Sequence, residues 1–307
     1  MKLQDVKVND HFEGKLLVSS VMQGKASNGE TYLTVVVQDS TKQLPCKLWS
    51  AKKEIIEMIK PGVAFEFIIE ITTYKNSLQG KILSIVPTNQ DDVNTLIMRS
   101  PISNDELTNF ISECVNTIQN DKLAKIVCAL LKRYGQDFYE YQAAAKIHHA
   151  YVGGLATHTY EMLKLGKEVC KIFKDVNYDY LISGIIVHDL GKIEEYIKPT
   201  VGDFTAKGKL LGHISIIDAE ILDIARELGF DDSEEVLVLR HMVLSHHGKR
   251  EFGSPVLPST LESVVLNLID DLDSKINLVC KELTDVKEGE FTGKVFALND
   301  VSLYKHK

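Results

Sequence analysis

Ile185-Ile186-Val187-His188-Asp189-Leu190-Gly191-Lys192 decides the reading of this chain. An apolar run ends in an adjacent histidine and aspartate, followed by a glycine and a lysine. Neighbouring residues on a helix point about 100° apart, so His188 and Asp189 can face one cavity without competing for the same place in it. A carboxylate has two oxygens and can bridge two cations, whereas a neutral imidazole binds one. A lone His-Asp pair arises by chance or as a helix cap. Here it stands in a series: His158 lies 30 residues before His188, His213 lies 24 residues after Asp189, His246-His247 follow 33 residues on, and Asp270 closes the set.

Around that stretch the chain reads as helical from residue 91 to residue 286. Ser103-Asn104-Asp105-Glu106 predicts the cap of a helix running to Ile118, and apolar residues recur at helical intervals from Lys122 to Tyr134. Further helices are expected over Phe138 to His148, Leu155 to Phe173, Tyr178 to Leu190, His213 to Leu228, Ser233 to His246 and Leu257 to Leu283. Residues 287–307 form a polar, mixed tail.

Residues 1–90 have a different character. His11 to Gln23, Thr31 to Gln38, Gln43 to Ser50, Phe65 to Thr73 and Leu78 to Val86 have strand patterning, with an Asn-Gly turn at Asn28-Gly29. A short helical stretch, Ala51 to Ile59, separates the third and fourth strands. Five short strands with a helix in that place make a small closed OB-type barrel, and an SH3-like barrel is the rival. Such barrels bind single strands by stacking bases on aromatic rings beside basic groups. Tyr32, Trp49 and Tyr74, with Lys25, Lys47, Lys75 and Lys81, are the candidates here; each aromatic has a core position as its alternative, since half the residues of a strand face inward. The fold expected overall is an all-β barrel over residues 1–90, an all-α bundle over 91–286, and the tail.

The nitrogen and carboxylate donors of the series, without thiolate, suit Mn²⁺, Fe²⁺, Co²⁺, Ni²⁺ or Zn²⁺. Inward-facing histidines and carboxylates on facing helices are how two-metal sites are built in bundles. The expected arrangement puts Asp189 between two divalent ions, His158, His188 and Asp270 on one, and His213 with His246 or His247 on the other. Such a pair can hold a phosphoryl group and activate water at neutral pH. Lys192, one turn past His188, is positioned to meet phosphate charge or to protonate a leaving oxygen. Asp270 falls in the apolar series Val265, Leu268, Ile269, Leu272, which predicts a buried carboxylate in need of a partner. His148 and His149, before Gly153-Gly154, are candidates to support the ligands or touch substrate, with an exposed pair as the alternative. His11 and His306 read as surface residues.

In order, His158, His188-Asp189-Leu190-Gly191-Lys192, Gly212-His213, Ser245-His246-His247-Gly248 and Asp270 resemble the motif set of the HD-domain metal phosphohydrolases, over residues 140–275. A barrel followed by such a domain, with HHAYVGGLATHT (148–159) and LSHHG (244–248), is similar to the YhaM-type 3′→5′ exoribonucleases of Gram-positive bacteria. That resemblance implies an all-helical HD catalytic domain, Mn²⁺ or a similar divalent metal, and stepwise release of nucleoside 5′-monophosphates from the 3′ end of single-stranded RNA or DNA. Two other functions fit less of the chain. An HD-type nucleotide or cyclic-dinucleotide phosphohydrolase has no use for a strand-binding barrel. A non-catalytic nucleic-acid-binding regulator would hold its structural metal with a saturated ligand set.

Composition fits this reading. The chain has 307 residues and net charge −8, split as +2 over residues 1–90 and −10 over the remainder. Acid-rich segments that hold metal ions are partly neutralised when loaded, so the formal charge does not exclude a phosphate substrate. No apolar run approaches the length of about 18 to 20 residues of a membrane span, and Met1-Lys2-Leu3-Gln4-Asp5 has no signal core. Five scattered cysteines suit buried free thiols in a reducing compartment. A cytoplasmic protein is expected, with the number of subunits left open.

Overall fold

The strand patterning of the first ninety residues resolves into β1 (His11–Lys25), β2 (Thr31–Gln38), β3 (Gln43–Leu48), β4 (Ala64–Tyr74) and β5 (Ser77–Pro87). The computed structural model describes residues 1–27, 29–74, 77–143, 151–197 and 204–307. Lys75, His148 and His149 lie outside the described residues. The chain divides into two units, residues 1–99 with 278–307, and residues 100–277.

In the first unit the strands close in the order β1-β2-β3-β5-β4, with β1 pairing both β2 and β4. Neighbours run antiparallel except β3 and β5, which meet in parallel at Cys46↔Gly80 and Lys47↔Lys81. A side chain on Gly80 would strike Cys46 and Ile69, so a residue without Cβ is what allows the closure. Helix α1 (Lys53–Met58) lies between β3 and β4, giving the OB-type barrel. Leu16, Val18, Leu33, Val35, Val37, Leu44, Phe65, Phe67, Ile69 and Ile71 fill it, each from the inward half of its strand. After β5, Gln90 ties the chain back to the barrel, donating to Ala64 O and accepting from Ala64 N, both at 2.9 Å. The polar tail is also structured. Phe291–Val295 and Val301–Tyr304 pair as the hairpin β6-β7, and Lys42 pairs with Asp285 in the same unit.

The second unit is helical: α2 (Asn104–Asn116), α3 (Asp121–Tyr134), α4 (Gly154–Ile172), α5 (Tyr178–Val187), the single turn α6 (Lys192–Glu195), α7 (Ala206–Leu228), α8 (Glu234–Ser245) and α9 (Leu261–Leu283), of which residues 278–283 are counted with the first unit. Local chemistry starts several of these. Ser103, Asn120, Asn177 and Thr205 accept from backbone N–H groups of the first turns of α2, α3, α5 and α7. The helix expected from Phe138 is instead a 3-10 turn over Gly135–Tyr139, because Gly135 at φ +52° breaks the run and Tyr141 O accepts from Leu155 N. Residues 140–143 are not helical, and 144–148 lie outside the described residues.

Helix α5 sets the position of the site. Leu181 through Val187 are all buried, the behaviour of a helix that is apolar on every side. Its C-terminal end therefore delivers His188 and Asp189 into the middle of the unit, surrounded by α4, α7, α8 and α9.

Candidate metal centre

Asp189 lies at the focus of four imidazoles, and its two oxygens divide them. Oδ2 faces His188 Nε2 at 3.3 Å and His158 Nε2 at 3.8 Å, while Oδ1 faces His213 Nε2 at 3.5 Å and His246 Nε2 at 3.6 Å. Asp270 Oδ1 lies 3.2 Å from His158 Nε2. Ligand atoms gather in three overlapping sets, His158-His188-Asp270, His188-Asp189-His246 and His213-His246-His247, each within 4.8 Å. The structure thus brings together every described histidine and carboxylate of the series, and includes both His246 and His247.

Each ring is fixed by its other nitrogen. His188 and His246 follow the last residues of α5 and α8, where carbonyls have lost their helical partners. Their Nδ1–H groups donate to Ile185 O (2.8 Å) and Val243 O (2.7 Å), three residues back. His247 Nδ1 donates to Phe252 O at 2.7 Å. His158 Nδ1 donates to Asp273 Oδ2 at 2.6 Å, and His213 Nδ1 to Glu195 Oε1 at 3.2 Å. A carbonyl or carboxylate acceptor places the proton on Nδ1, which leaves the Nε2 lone pair aimed at the centre. This is how metal-binding histidines are generally oriented.

The residues fit divalent cations. Nε2 of His188, His213 and His246 and Oδ1 of Asp189 are buried without a hydrogen-bond partner among the described residues. Buried polar atoms are otherwise nearly always paired. Donors that share an ion at about 2.1 Å stand roughly 3 Å apart, close to the spacings around Asp189.

Electrostatics agree. Burial opposes ionisation of Asp189, yet Lys192 and His188 hold its carboxyl well below the usual range. Burial lowers His213 and His246, and burial with the neighbouring His246 pushes His247 down to about 4, so lone pairs are available near neutral pH. Burial also works against a charged His158, but Asp270 and Asp273 outweigh it and raise the ring to about 10. A proton and a metal ion compete for that Nε2. Lys192 Nζ donates to Asp189 Oδ2 at 2.6 Å.

Two carboxylates escaped the reading of the sequence. Asp273 was legible in principle, being three residues from Asp270 and hence on the same helix face. The apolar series used for Asp270 was out of phase: Leu268 and Leu272 are exposed, at 61% and 45%, whereas Leu266, Ile269 and Asp273 are buried. Asp270 itself is only partly buried, at the edge of the inward face. Glu195 carries no linear signal. Gly212, at φ +72°, breaks α7, so His213 N–H donates to Glu195 Oε1 (3.1 Å) instead of a carbonyl one turn back. One carboxylate therefore holds both the main chain and the ring of His213.

On the barrel, Tyr32 and Trp49 lie 5.2 Å apart between ring centroids, and Lys47 Nζ stands 4.3 Å over the Tyr32 ring. Lys81 is beside Lys47 in the β3-β5 register and pairs with Glu70 at 3.3 Å. Trp49 is 52% exposed and Tyr74, near the end of β4, is also exposed. Lys25 pairs opposite Thr31, one register position from Tyr32 and so on the other strand parity.

The family model of the HD domain matches residues 155–275. The 3′-5′ exoribonuclease YhaM of Geobacillus sp. is 39% identical over 302 residues, covering 97% of this chain and 93% of that protein. Its counterpart in Listeria welshimeri is 40% identical over 308 residues, covering 99% and 97%. That of Bacillus subtilis is 37% identical over 302 residues, covering 97% and 96%.

Proposed function

The chain belongs to the family of the 3′-5′ exoribonuclease YhaM, and from that premise we propose which of its residues carry the hydrolysis. The protein is a metal-dependent 3′-5′ exoribonuclease of the HD type, joined to an OB-type barrel.

Two divalent ions, Mn²⁺ foremost, would be held by Asp189 together with His158, His188 and Asp270 for one, and with His213, His246 and His247 for the other. The observation that carries this is the division of the Asp189 oxygens between two histidine pairs. Bound there, such ions polarise the scissile phosphoryl group and lower the pKa of a coordinated water. The protein contributes the rest. The Nδ1 anchors hold the ligand rings so that little reorganises as charge develops. Lys192 balances the charge of Asp189 and stands ready to meet phosphate charge or to protonate the leaving oxygen. Single-stranded RNA, and single-stranded DNA with it, is held by Tyr32, Trp49, Lys47, Lys81 and Tyr74 on the barrel, with Lys25, of the other strand parity, and Lys75 as further candidates, and nucleoside 5′-monophosphates leave. His148 and His149 remain candidates for substrate contact. A cytoplasmic location is part of the proposal, supported by five free thiols; no described helix is long and apolar enough to cross a membrane.

The test is Asp189→Ala in the full chain. It is expected to lose Mn²⁺ binding and all release of nucleotides from a 5′-labelled RNA while keeping its helical circular dichroism. A folded variant that degrades the strand at the parent rate overturns the assignment.

A further inference from the structure

The helix end that carries His246 and His247 runs on into Gly248-Lys249-Arg250-Glu251-Phe252, and this exposed segment is tied down at almost every residue. Gly248, at φ +73°, donates its N–H to Ser245 O at 2.8 Å. A side chain on it would come within 2.5 Å of the Asn267 amide, which itself donates to His246 O at 2.8 Å. Lys249 N donates to His247 O (2.9 Å), Phe252 N to Lys249 O (3.1 Å) and Gly253 N to Arg250 O (3.0 Å). The carbonyl of Phe252 accepts from His247 Nδ1, and Ser254 just beyond is buried. A fixed backbone therefore presents side chains that point to solvent.

Those side chains have a chemistry of their own. The Phe252 ring is 60% exposed. Lys249 Nζ stands 5.2 Å from its centroid and 3.5 Å from Glu251, and Arg250 is exposed beside them. A single exposed phenylalanine needs no explanation by itself. Its location supplies one: its main chain is bonded to the ring of His247, whose other nitrogen belongs to the cluster with His213 and His246. The Phe252 main chain thus stands one hydrogen bond from a ring of the histidine cluster. An aromatic face stacks any base, and neighbouring cations meet the phosphates between bases.

Resting on the exonuclease reading above, we propose that Lys249, Arg250 and Phe252 form the subsite for a nucleotide flanking the scissile phosphate, Phe252 stacking on its base and the two cations meeting its phosphate. The segment would recognise single-stranded nucleic acid by shape and charge and not by sequence. Its attachment to His247 sets the base at a fixed distance from the site of hydrolysis.

The experiment uses the full chain with Mn²⁺ and three strands of one sequence: a normal strand, one without the 3′-terminal base, and one without the penultimate base. The parent is expected to prefer the normal strand to at least one abasic strand in kcat/KM. Phe252→Ala is expected to lose about fivefold to a hundredfold on the normal strand, chiefly through KM, so that this preference collapses; Phe252→Trp restores it. Mn²⁺ affinity should stay at the parent value, because the bond to His247 is made by a main-chain carbonyl. Equal losses on all three strands, no loss on any, or a fall in Mn²⁺ affinity overturns the subsite. If the parent itself yields no Mn²⁺-dependent product from any strand, the exonuclease reading falls and takes the subsite with it.

Discussion

Replacing Asp273 by asparagine keeps the shape of the side chain and an oxygen that can accept from His158 Nδ1, but removes a charge. In the structure that oxygen is 2.6 Å from Nδ1, and the second carboxylate, Asp270, faces the other nitrogen at 3.2 Å. Asp273 thus orients the ring and makes it a better donor. A hydrogen bond to an ionised group contributes about 1.5–3 kcal/mol against roughly 0.5–1.5 for a neutral one. The difference, on the order of 1–1.5 kcal/mol, is an ion about five- to thirteenfold weaker at the His158 side. Asp273→Ala also loses the acceptor, and should approach the upper end of the roughly 10–100-fold range typical of such supporting groups. Titration with Mn²⁺, followed calorimetrically in the folded variants, reads this directly. One class of site should weaken while the class formed by His213, His246 and His247 keeps its affinity. Equal weakening of both classes, or none in a variant of unchanged melting temperature, refutes the argument that Asp273 acts through His158.

Two further changes test the frame and the strand grip. Gly191→Ala puts a methyl group into the backbone of His213, an overpacking expected to cost about 1–3 kcal/mol and to weaken Mn²⁺ binding at the His213 side; a thermal melt and Mn²⁺ titration indistinguishable from the parent would show that α6 and α7 can separate freely. Trp49→Ala, at a half-exposed position, should leave the melting temperature near the parent value and weaken binding of a long single strand about fivefold to a hundredfold. Unaltered binding in a fluorescence-anisotropy titration would remove the Tyr32–Trp49 pair from the strand-binding face.

Much of this molecule was legible because its signals are local. Strand alternation from His11 to Pro87 and the short helix after β3 fix an OB-type barrel, since burial on one face demands period two. The mostly apolar run Leu181–Val187 of α5 announces a central helix, and the His-Asp pair at its end is delivered inward with it. Even the Nδ1 anchors of His188 and His246 follow from position, because a ring at a helix C-terminus finds, three residues back, a carbonyl that has lost its i+4 helical partner. The phase of α9 was misread since both of its faces carry large apolar residues, and sequence spacing cannot tell the buried one from the exposed one.

Tertiary structure decided the rest. That Asp189 splits its oxygens between His158-His188 and His213-His246 depends on four helices meeting, and no interval along the chain encodes their angles. Glu195 reaches His213 only because Gly212 breaks α7 and frees an N–H, and Gly191 and Gly208 let α6 lie against α7 without a side chain between them. The amino acids named the candidate donors by their chemistry; the packing alone set which donors stand close together, because distance between side chains is a property of the fold.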